Sequence, residues 1–457
     1  MLFSSISFLY YFLPCVLVLY FLVPRHFKNT ILLISSLFFY AWGEPRLVLL
    51  MLITIVIGYV LGIVMEKDAE HKKLYLTIAL TSFLGVLGYF KYTDFFIDNI
   101  NKATGLSVPL LRIALPIGIS FYTFQILSYT IDVYRGDVKA QKKLIHLATY
   151  ITMFPQLIAG PIVRYKDVEE QLESREHSID KAAQGIRRFV FGLSKKILIA
   201  NVLGEICETF RMSNDKSVLF YWMYAIAFSL HIYFDFSGYS DMAIGLGKIF
   251  GFDFMENFNY PYISKSITEF WRRWHISLGT WFRDYVYIPL GGSRVNVARH
   301  LFNILIVWML TGFWHGASWN FIIWGLYFAV LLVIEKTFLL KHLGHSKLLS
   351  RVYVLFVVVI SFVIFNATSL PQALMDIGGL FGHGNLSLIS SEAIYYLRNY
   401  AVIFVLAIIG ATPIPKRLVS KWKVLQYAEP VVLLLLLIVI TAYLVDGSFN
   451  PFLYFRF

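Results

Sequence analysis

Long apolar stretches are the feature that most limits what this chain can fold into. A helix that crosses a bilayer needs about 20 mostly apolar residues, and runs of this kind predict roughly eleven to thirteen membrane-embedded helices. An all-α polytopic membrane protein is therefore the predicted fold class. The runs lie near residues 6–23, 29–44, 46–65, 74–97, 112–134, 144–162, 184–204, 218–250, 300–313, 316–338, 351–370, 394–412 and 428–446.

Several of these runs, notably 144–162 and 300–313, are too short or too polar to cross a bilayer cleanly. Pro155 and the pair Gly160-Pro161 interrupt the run 144–162, and the run 300–313 is short. Broken backbone is tolerated at membrane depth only where protein surrounds it. We expect both runs to form re-entrant segments.

The composition excludes a soluble protein. Hydrophobic residues make up 58% of the 457-residue chain and charged residues only 15%, while the net charge is +12. In a membrane protein, basic loops on the cytoplasmic side account for such a charge, so nucleic-acid binding is not expected. The two cysteines, Cys15 and Cys207, form neither a disulfide framework nor a metal motif.

The basic residues also predict the orientation. Lys and Arg are concentrated in the loops at 24–28, 66–73, 135–143, 336–351 and 416–423, which the positive-inside rule assigns to the cytoplasm. Counting spans from these loops places both termini outside. We expect one membrane domain over residues 1–446 and an extracytoplasmic aromatic tail over 447–457.

Three groups of polar residues lie inside apolar surroundings, where ionisable side chains are costly. The first is the block His231 to Asp241, which contains Asp235, Ser237, Tyr239 and Asp241. It is interpreted either as a hydrogen-bonded structural turn or as the wall of a polar cavity. The sequence alone leaves both open.

The second group is the block Ser266 to Gly292. At 3.6 residues per turn, Trp271, Trp274 and His275 share a face with later aromatics, opposite the arginines. This predicts one amphipathic helix, and a helix lying in the headgroup plane explains its arginines and tryptophans. His275 on the aromatic face is either a satisfied core residue or part of a site.

The third group is Thr311-Gly-Phe-Trp-His-Gly-Ala-Ser-Trp-Asn320. His315 lies where one apolar run ends and the next begins, between Gly312 and Gly316, which permit close approach of another segment or a ligand. Histidine is also the side chain best suited to take a proton from a hydroxyl near neutral pH. His315 is therefore a candidate catalyst. No phosphate-binding loop, dinucleotide fingerprint or histidine pair at metal-ligand spacing is present.

Together these motifs resemble the membrane-bound O-acyltransferase family. The residues of these motifs are most similar to the bacterial alginate and peptidoglycan O-acetylation branch. The lipoteichoic acid D-alanylation branch is the second most similar. The resemblance covers most of the chain in order. It is carried by Pro116 to Gln125, Ser128 to Gly136, Phe154 to Arg164, Asp235 to Asp241, Trp271 to Gly292 and Trp314-His-Gly316.

The resemblance implies helices around a central tunnel in a bacterial cytoplasmic membrane. It implies that His315 is the catalytic histidine and that His275 acts with it. The acyl donor would be cytosolic acetyl-CoA, with no permanently bound cofactor and no metal. An extracytoplasmic SGNH-hydrolase-like partner would then acetylate a polysaccharide. We expect the tunnel and substrate residues to be Trp274, Trp314, Asp235, Ser237, Tyr239, Asp241 and Asn320.

Two further sets of residues have expected roles. Arg272, Arg273 and Arg283, with Lys195 and Lys196, are candidates for binding the CoA phosphates or, equally, lipid headgroups. The tail from Asn450 to Phe457 is similar to an aromatic tail in this branch, in which the tyrosine, here Tyr454, is thought to carry the acyl group. The alternative is an aromatic anchor at the outer interface.

Two other function classes remain open from the sequence. A transporter for an acyl compound would also use buried polar residues and broken helices. An acyltransferase that modifies a membrane lipid would keep the histidine chemistry without an extracellular partner.

Overall fold

A computed structural model of the chain describes residues 1–158 and 160–447. The described residues are helical, with no β-strand among them. Eight helices in this part of the chain are long and apolar enough to cross a membrane. They are Val48–Lys67, Lys72–Thr104, Val218–Ile249, Val297–His315, Trp319–Leu343, Lys347–Asn366, Ser391–Gly410 and Tyr427–Val445. The all-α membrane fold is confirmed.

Five of the thirteen predicted runs form shorter helices. Leu13–Leu22, Lys28–Ala41, Ile119–Arg135 and Leu144–Thr152 have 10, 14, 17 and 9 residues. In the run 184–204, Ile179–Ser194 continues through a π-helical turn, Lys195–Ala200, into Asn201–Met212. In the run 144–162, the helix ends at Thr152, and Met153 separates it from the short helix Phe154–Leu157, so the run is interrupted as predicted.

The run 300–313 belongs to a longer helix than its apolarity predicted, and its re-entrant path stays a prediction. This run lies within Val297–His315, a helix of 19 residues that is long enough to span. The helix begins before the apolar run because the Asn296 side chain accepts a hydrogen bond from the backbone N–H of Arg299 at 2.9 Å. Apolarity alone therefore underestimated its length.

The described residues form two compact units, one built from residues within 1–189 and 240–255, the other from 190–239 and 256–447. In the first unit, Val48–Lys67 packs on Ile119–Arg135 through small residues. A Cβ on Gly58 would lie 2.4 Å from Ile126 Cδ1, and one on Gly62 would lie 2.6 Å from the Tyr129 hydroxyl. Glycines at these positions let two apolar helices approach closely.

In the second unit, Val297–His315 and Trp319–Ile334 form a hairpin with direct backbone contact. A Cβ on Gly312 would lie 2.2 Å from the carbonyl oxygen of Phe321, and one on Gly325 would lie 2.2 Å from that of Trp308. Neither position has room for a side chain. The hairpin therefore fixes the position of His315, the last residue of its first helix.

The hairpin packs against Lys347–Asn366, Ile267–Arg273 and Leu370–Leu380 through its second helix. The helices of this unit not named above are Ile276–Phe282, Leu340–Leu343 and Ile414–Lys421, and the last helix runs over Lys423–Val445. Val218–Ile249 contributes to both units. In the most apolar part of this helix 78% of the residues are buried, whereas in Tyr427–Val445 only 6% are. The polar side chains of Val218–Ile249 therefore face protein rather than lipid.

Candidate active site

His315 is the last residue of Val297–His315 and is 7% exposed. A Cβ on the next residue, Gly316, would lie 2.3 Å from the Phe321 ring, so this turn needs a glycine for the close approach. Three aromatic rings surround the imidazole edge-on, those of Trp314, Trp324 and Phe365, with centroids 5.0, 5.2 and 5.3 Å away. The predicted catalyst thus lies in a buried aromatic setting.

His275 lies at a break between two short helices, Ile267–Arg273 and Ile276–Phe282. The prediction of one continuous amphipathic helix over this block is therefore wrong. His275 has a φ of +46°, in the left-handed region that non-glycine residues rarely adopt. Its side chain is 2% exposed.

The segment around Asn257 explains the break. The backbone N–H of Ile276 donates to the carbonyl of Asn257 at 3.0 Å, and the N–H of Asn259 donates to the carbonyl of Arg273 at 2.9 Å. These bonds satisfy backbone groups that a continuous helix would have paired internally. Hydrogen bonds to the segment 257–259 therefore replace the bonds within a helix.

The same asparagine orients His275. Asn257 Oδ1 accepts the backbone N–H of Ser277 at 3.2 Å and the Ser277 hydroxyl at 2.9 Å, and lies 3.2 Å from His275 Nδ1. Because the atom that accepts a backbone N–H must be the oxygen, Nδ1 of a neutral His275 carries the proton. Nε2 then has the lone pair, and it is buried with no hydrogen-bond partner among the described residues.

The two histidines belong to one site. The Trp314 ring contacts both imidazoles, with centroids 5.0 Å from His315 and 6.1 Å from His275. Burial lowers the pKa of His275 well below its ordinary value, and the charge that His315 can carry lowers it further. His275 is therefore a neutral imidazole at physiological pH, able to accept a proton or a hydrogen bond through Nε2.

Other predicted tunnel residues in this unit have protein contacts. Asp235 forms an ion pair with Lys196 at 2.5 Å, with both side chains at most 2% exposed. Trp274 packs among Phe258, Phe270 and Phe362. Lys196 is therefore buried and paired, whereas binding of CoA phosphates or lipid headgroups would need an accessible ammonium group.

Three further predicted residues are buried, and one lies in the other unit. Asn320 donates to the carbonyl of Ala367 at 2.8 Å and also contacts Ser318. Ser237 and Tyr239 are each 2% exposed, and the Ser237 hydroxyl has no hydrogen-bond partner among the described residues. Asp241 belongs to the first unit, where it forms an ion pair with Arg188 at 2.9 Å.

The three candidate arginines differ in their partners. Arg273 pairs with Glu269 at 2.9 Å, and Arg283 pairs with its neighbour Asp284 at 2.7 Å. Arg272 is exposed and is close enough to Lys336 for their positive charges to repel each other. An anionic group bound beside Arg272 would relieve this repulsion.

Two residues that support the site were missed by the sequence reasoning. Asn257 was one. Glu335, fully buried, accepts the backbone N–H groups of Ile267 and Thr268 at 2.5 and 2.9 Å and so caps the helix leading to His275. Each is distant in sequence from its partner, and no local pattern marks either one.

Two further predictions concern Tyr454 and a metal site. Tyr454 lies outside the described residues. Within residues 1–158 and 160–447, no group of three or more His, Cys, Asp or Glu side chains is placed to hold a metal ion.

Two buried histidines beside one tryptophan ring form a candidate catalytic site, and comparison with known proteins gives the family. The model of the membrane-bound O-acyltransferase family matches residues 37–374. This chain belongs to that family, and it is an O-acyltransferase in a multi-pass membrane setting. The enzymatic interpretation therefore prevails over transport.

Three relatives indicate the branch. A probable alginate O-acetylase of Azotobacter vinelandii is 43% identical over 85% of this chain and 79% of its own length. One of Pseudomonas putida is 38% identical over the full length of both chains. A peptidoglycan O-acetyltransferase of Helicobacter pylori is 33% identical over 87% of this chain and 84% of its own.

Proposed function

We propose that this protein passes an acetyl group from cytosolic acetyl-CoA across a bacterial cytoplasmic membrane, for transfer to hydroxyls of a cell-surface polysaccharide. The two buried histidines, His275 and His315, with the Trp314 ring against both, are the observation that carries the proposal. The relatives act on alginate and peptidoglycan, which supports a polysaccharide acceptor. An SGNH-hydrolase-like partner outside the membrane makes the final transfer.

The chemical step needs one base and one acceptor hydroxyl. His315 takes the hydroxyl proton while the oxygen attacks the thioester carbonyl carbon. The C–S bond then breaks, an ester forms, and the CoA thiolate receives the proton from His315. His275 Nε2 supports this step as a hydrogen-bond acceptor for the substrate or the reacting group, and the aromatic rings around His315 exclude water.

The acceptor hydroxyl is that of Tyr454 or of a serine on the partner. Tyrosine needs a neighbouring base to act as a nucleophile, and His315 serves if the tail enters from the outer side. Both termini are extracytoplasmic in this scheme, as the basic loops predict. Arg272 is the arginine best suited to contact the CoA phosphates, because it is exposed beside Lys336.

A labelling experiment tests the relay. Purified full-length protein is incubated with acetyl-CoA labelled in the acetyl group, and the C-terminal peptide is analysed by mass spectrometry. Label is expected on that peptide in the wild type and in Tyr427→Phe, an exposed tyrosine on the last helix. Tyr454→Phe should lose it.

Two results would contradict the proposal at different steps. Label retained by Tyr454→Phe excludes the tyrosine as carrier but leaves transfer to the partner. If acetyl-CoA releases no free CoA even with the partner present, the donor assignment is wrong.

Asn257 is a positioning residue for His275, and its substitution should change the pH profile. Asn257→Ala releases the imidazole, and misplacement of this kind costs about 10²-fold in rate. Asn257→Asp places a carboxylate beside Nδ1, which favours the protonated form and raises the pKa of His275. The acid limb of the rate profile should therefore move to higher pH, measured as CoA release between pH 4 and 8.

Asn259→Ala is the matched control, because only the backbone of Asn259 is bonded to Arg273. It should keep the wild-type rate and profile. An Asn257→Asp protein that folds and shows an unshifted acid limb would show that His275 does not titrate in the rate-limiting step.

A further inference from the structure

A cluster of basic side chains lies at the end of the first helix, in the unit formed by residues 1–189 and 240–255. Tyr20 is at its centre. The Tyr20 hydroxyl accepts from Arg175 Nε at 3.0 Å and lies 2.9 Å from His177 Nε2, while Lys28 Nζ lies 4.6 Å from the ring centroid. Arg25 is close enough to influence Lys28 electrostatically.

The cations of this cluster are held by neutral groups. Arg175 donates to Asn29 Oδ1 and to the carbonyls of Gln171 and Phe250, and its guanidinium lies 4.4 Å from the Phe252 ring centroid. Among the described residues, no carboxylate pairs with Arg25, Lys28 or Arg175. Asp253, the nearby acid, is occupied by Lys181 at 2.6 Å and Lys248 at 3.2 Å.

The positive charges therefore act on one another. Burial lowers the pKa of Lys28, and Arg175 and Arg25 lower it further. Burial also lowers the pKa of His177 to about 4, with Lys28 and Arg175 as the next causes. An anion bound against Lys28 would relieve this repulsion in a partly desolvated setting, where charge pairing is stronger than in bulk water.

Exposed apolar side chains surround the same helix end. Phe21, Leu22 and Phe27 are 49%, 76% and 51% exposed. Lys28 Nζ lies 5.0 Å from the Phe21 ring centroid, so an apolar surface and a cation are in contact. A soluble phosphate would use only the cation, whereas a phospholipid would cover both.

We propose that Arg25 and Lys28 bind the phosphate of an anionic phospholipid headgroup, with Arg175 as a fixed positive charge behind them and Phe21, Leu22 and Phe27 against the acyl chains. The phosphate oxygens accept from the ammonium of Lys28 and the guanidinium of Arg25. Lipid bound here would tie the first helix to the loop 174–178 through Tyr20 and Arg175.

The test uses purified full-length protein in detergent with spin-labelled phosphatidylglycerol and phosphatidylcholine. The wild type should select phosphatidylglycerol, and Arg25→Gln/Lys28→Gln should lose that preference by about tenfold, since each basic group near a membrane surface contributes measurably. The control Lys67→Gln/Lys72→Gln removes the same charge, and Lys72 also lies over an aromatic ring, 5.3 Å from the Tyr134 centroid. It should keep the preference.

Three outcomes would overturn the proposal. Unchanged selectivity in Arg25→Gln/Lys28→Gln excludes the site, and an equal loss in both variants shows only general charge attraction. Displacement of the labelled lipid by millimolar inorganic phosphate identifies a soluble anion as the ligand. The charge-preserving variant Arg25→Lys/Lys28→Arg should retain the preference, which separates loss of binding from misfolding.

Discussion

Replacement of His315 by alanine should lower the rate of acetyl transfer by about 10²- to 10⁴-fold, the range that a positioned general base contributes. The expected loss is in the rate constant for the chemical step, because the aromatic walls around His315 remain. Single-turnover release of CoA from acetyl-CoA, with the wild type and the variant in the same detergent, measures it.

His300→Ala is the matched control. His300 is on the same helix, at its other end, and its Nε2 lies 3.0 Å from the Tyr287 hydroxyl. We expect it to keep most of the wild-type rate. A His315→Ala protein that is folded and retains full activity would overturn the proposed mechanism, whatever the behaviour of the tail.

The second large effect concerns stability. Lys196→Met leaves the carboxylate of Asp235, 1% exposed, without its ion-pair partner at 2.5 Å. Removing one member of a buried pair typically costs about 3–5 kcal/mol, because an uncompensated charge stays in a low-dielectric interior. Unfolding in a titration with a denaturing detergent should show a loss of this size.

The double variant Lys196→Met/Asp235→Leu should recover most of that loss, since apolar residues of similar volume can replace a buried pair at little cost. Lys421→Met, at an exposed position on the second unit, should change stability little. If the double variant is as unstable as Lys196→Met alone, the pair does not account for the loss, and the cavity-wall interpretation of Asp235 gains support.

The spans could be predicted from apolarity because each long helix must satisfy its own backbone in lipid. Eight of the thirteen runs became helices of spanning length, and the interruption near Pro155 was visible in the sequence. The exact helix bounds could not be read in the same way. Val297–His315 begins at the polar cap Asn296, and a hydropathy pattern does not reveal such a cap.

The geometry around His275 could not be predicted from periodicity. The 3.6-residue pattern from Trp271 onward is compatible with one helix, but bonds from Asn257 and Asn259 interrupt it. Those partners are 14 to 20 residues away, and their effect is a tertiary one. The pairing of His275 with His315 came from family resemblance, and the tautomer of His275 required the structure.

The left-handed backbone at His275 has a consequence for how this protein would respond to laboratory selection. Its φ of +46° costs about 1–2 kcal/mol for a residue with a Cβ. A library screened only for thermal resistance should therefore enrich glycine at position 275, and the most heat-resistant clones would be the inactive ones. Screens for robust variants of this enzyme need an activity readout at every round.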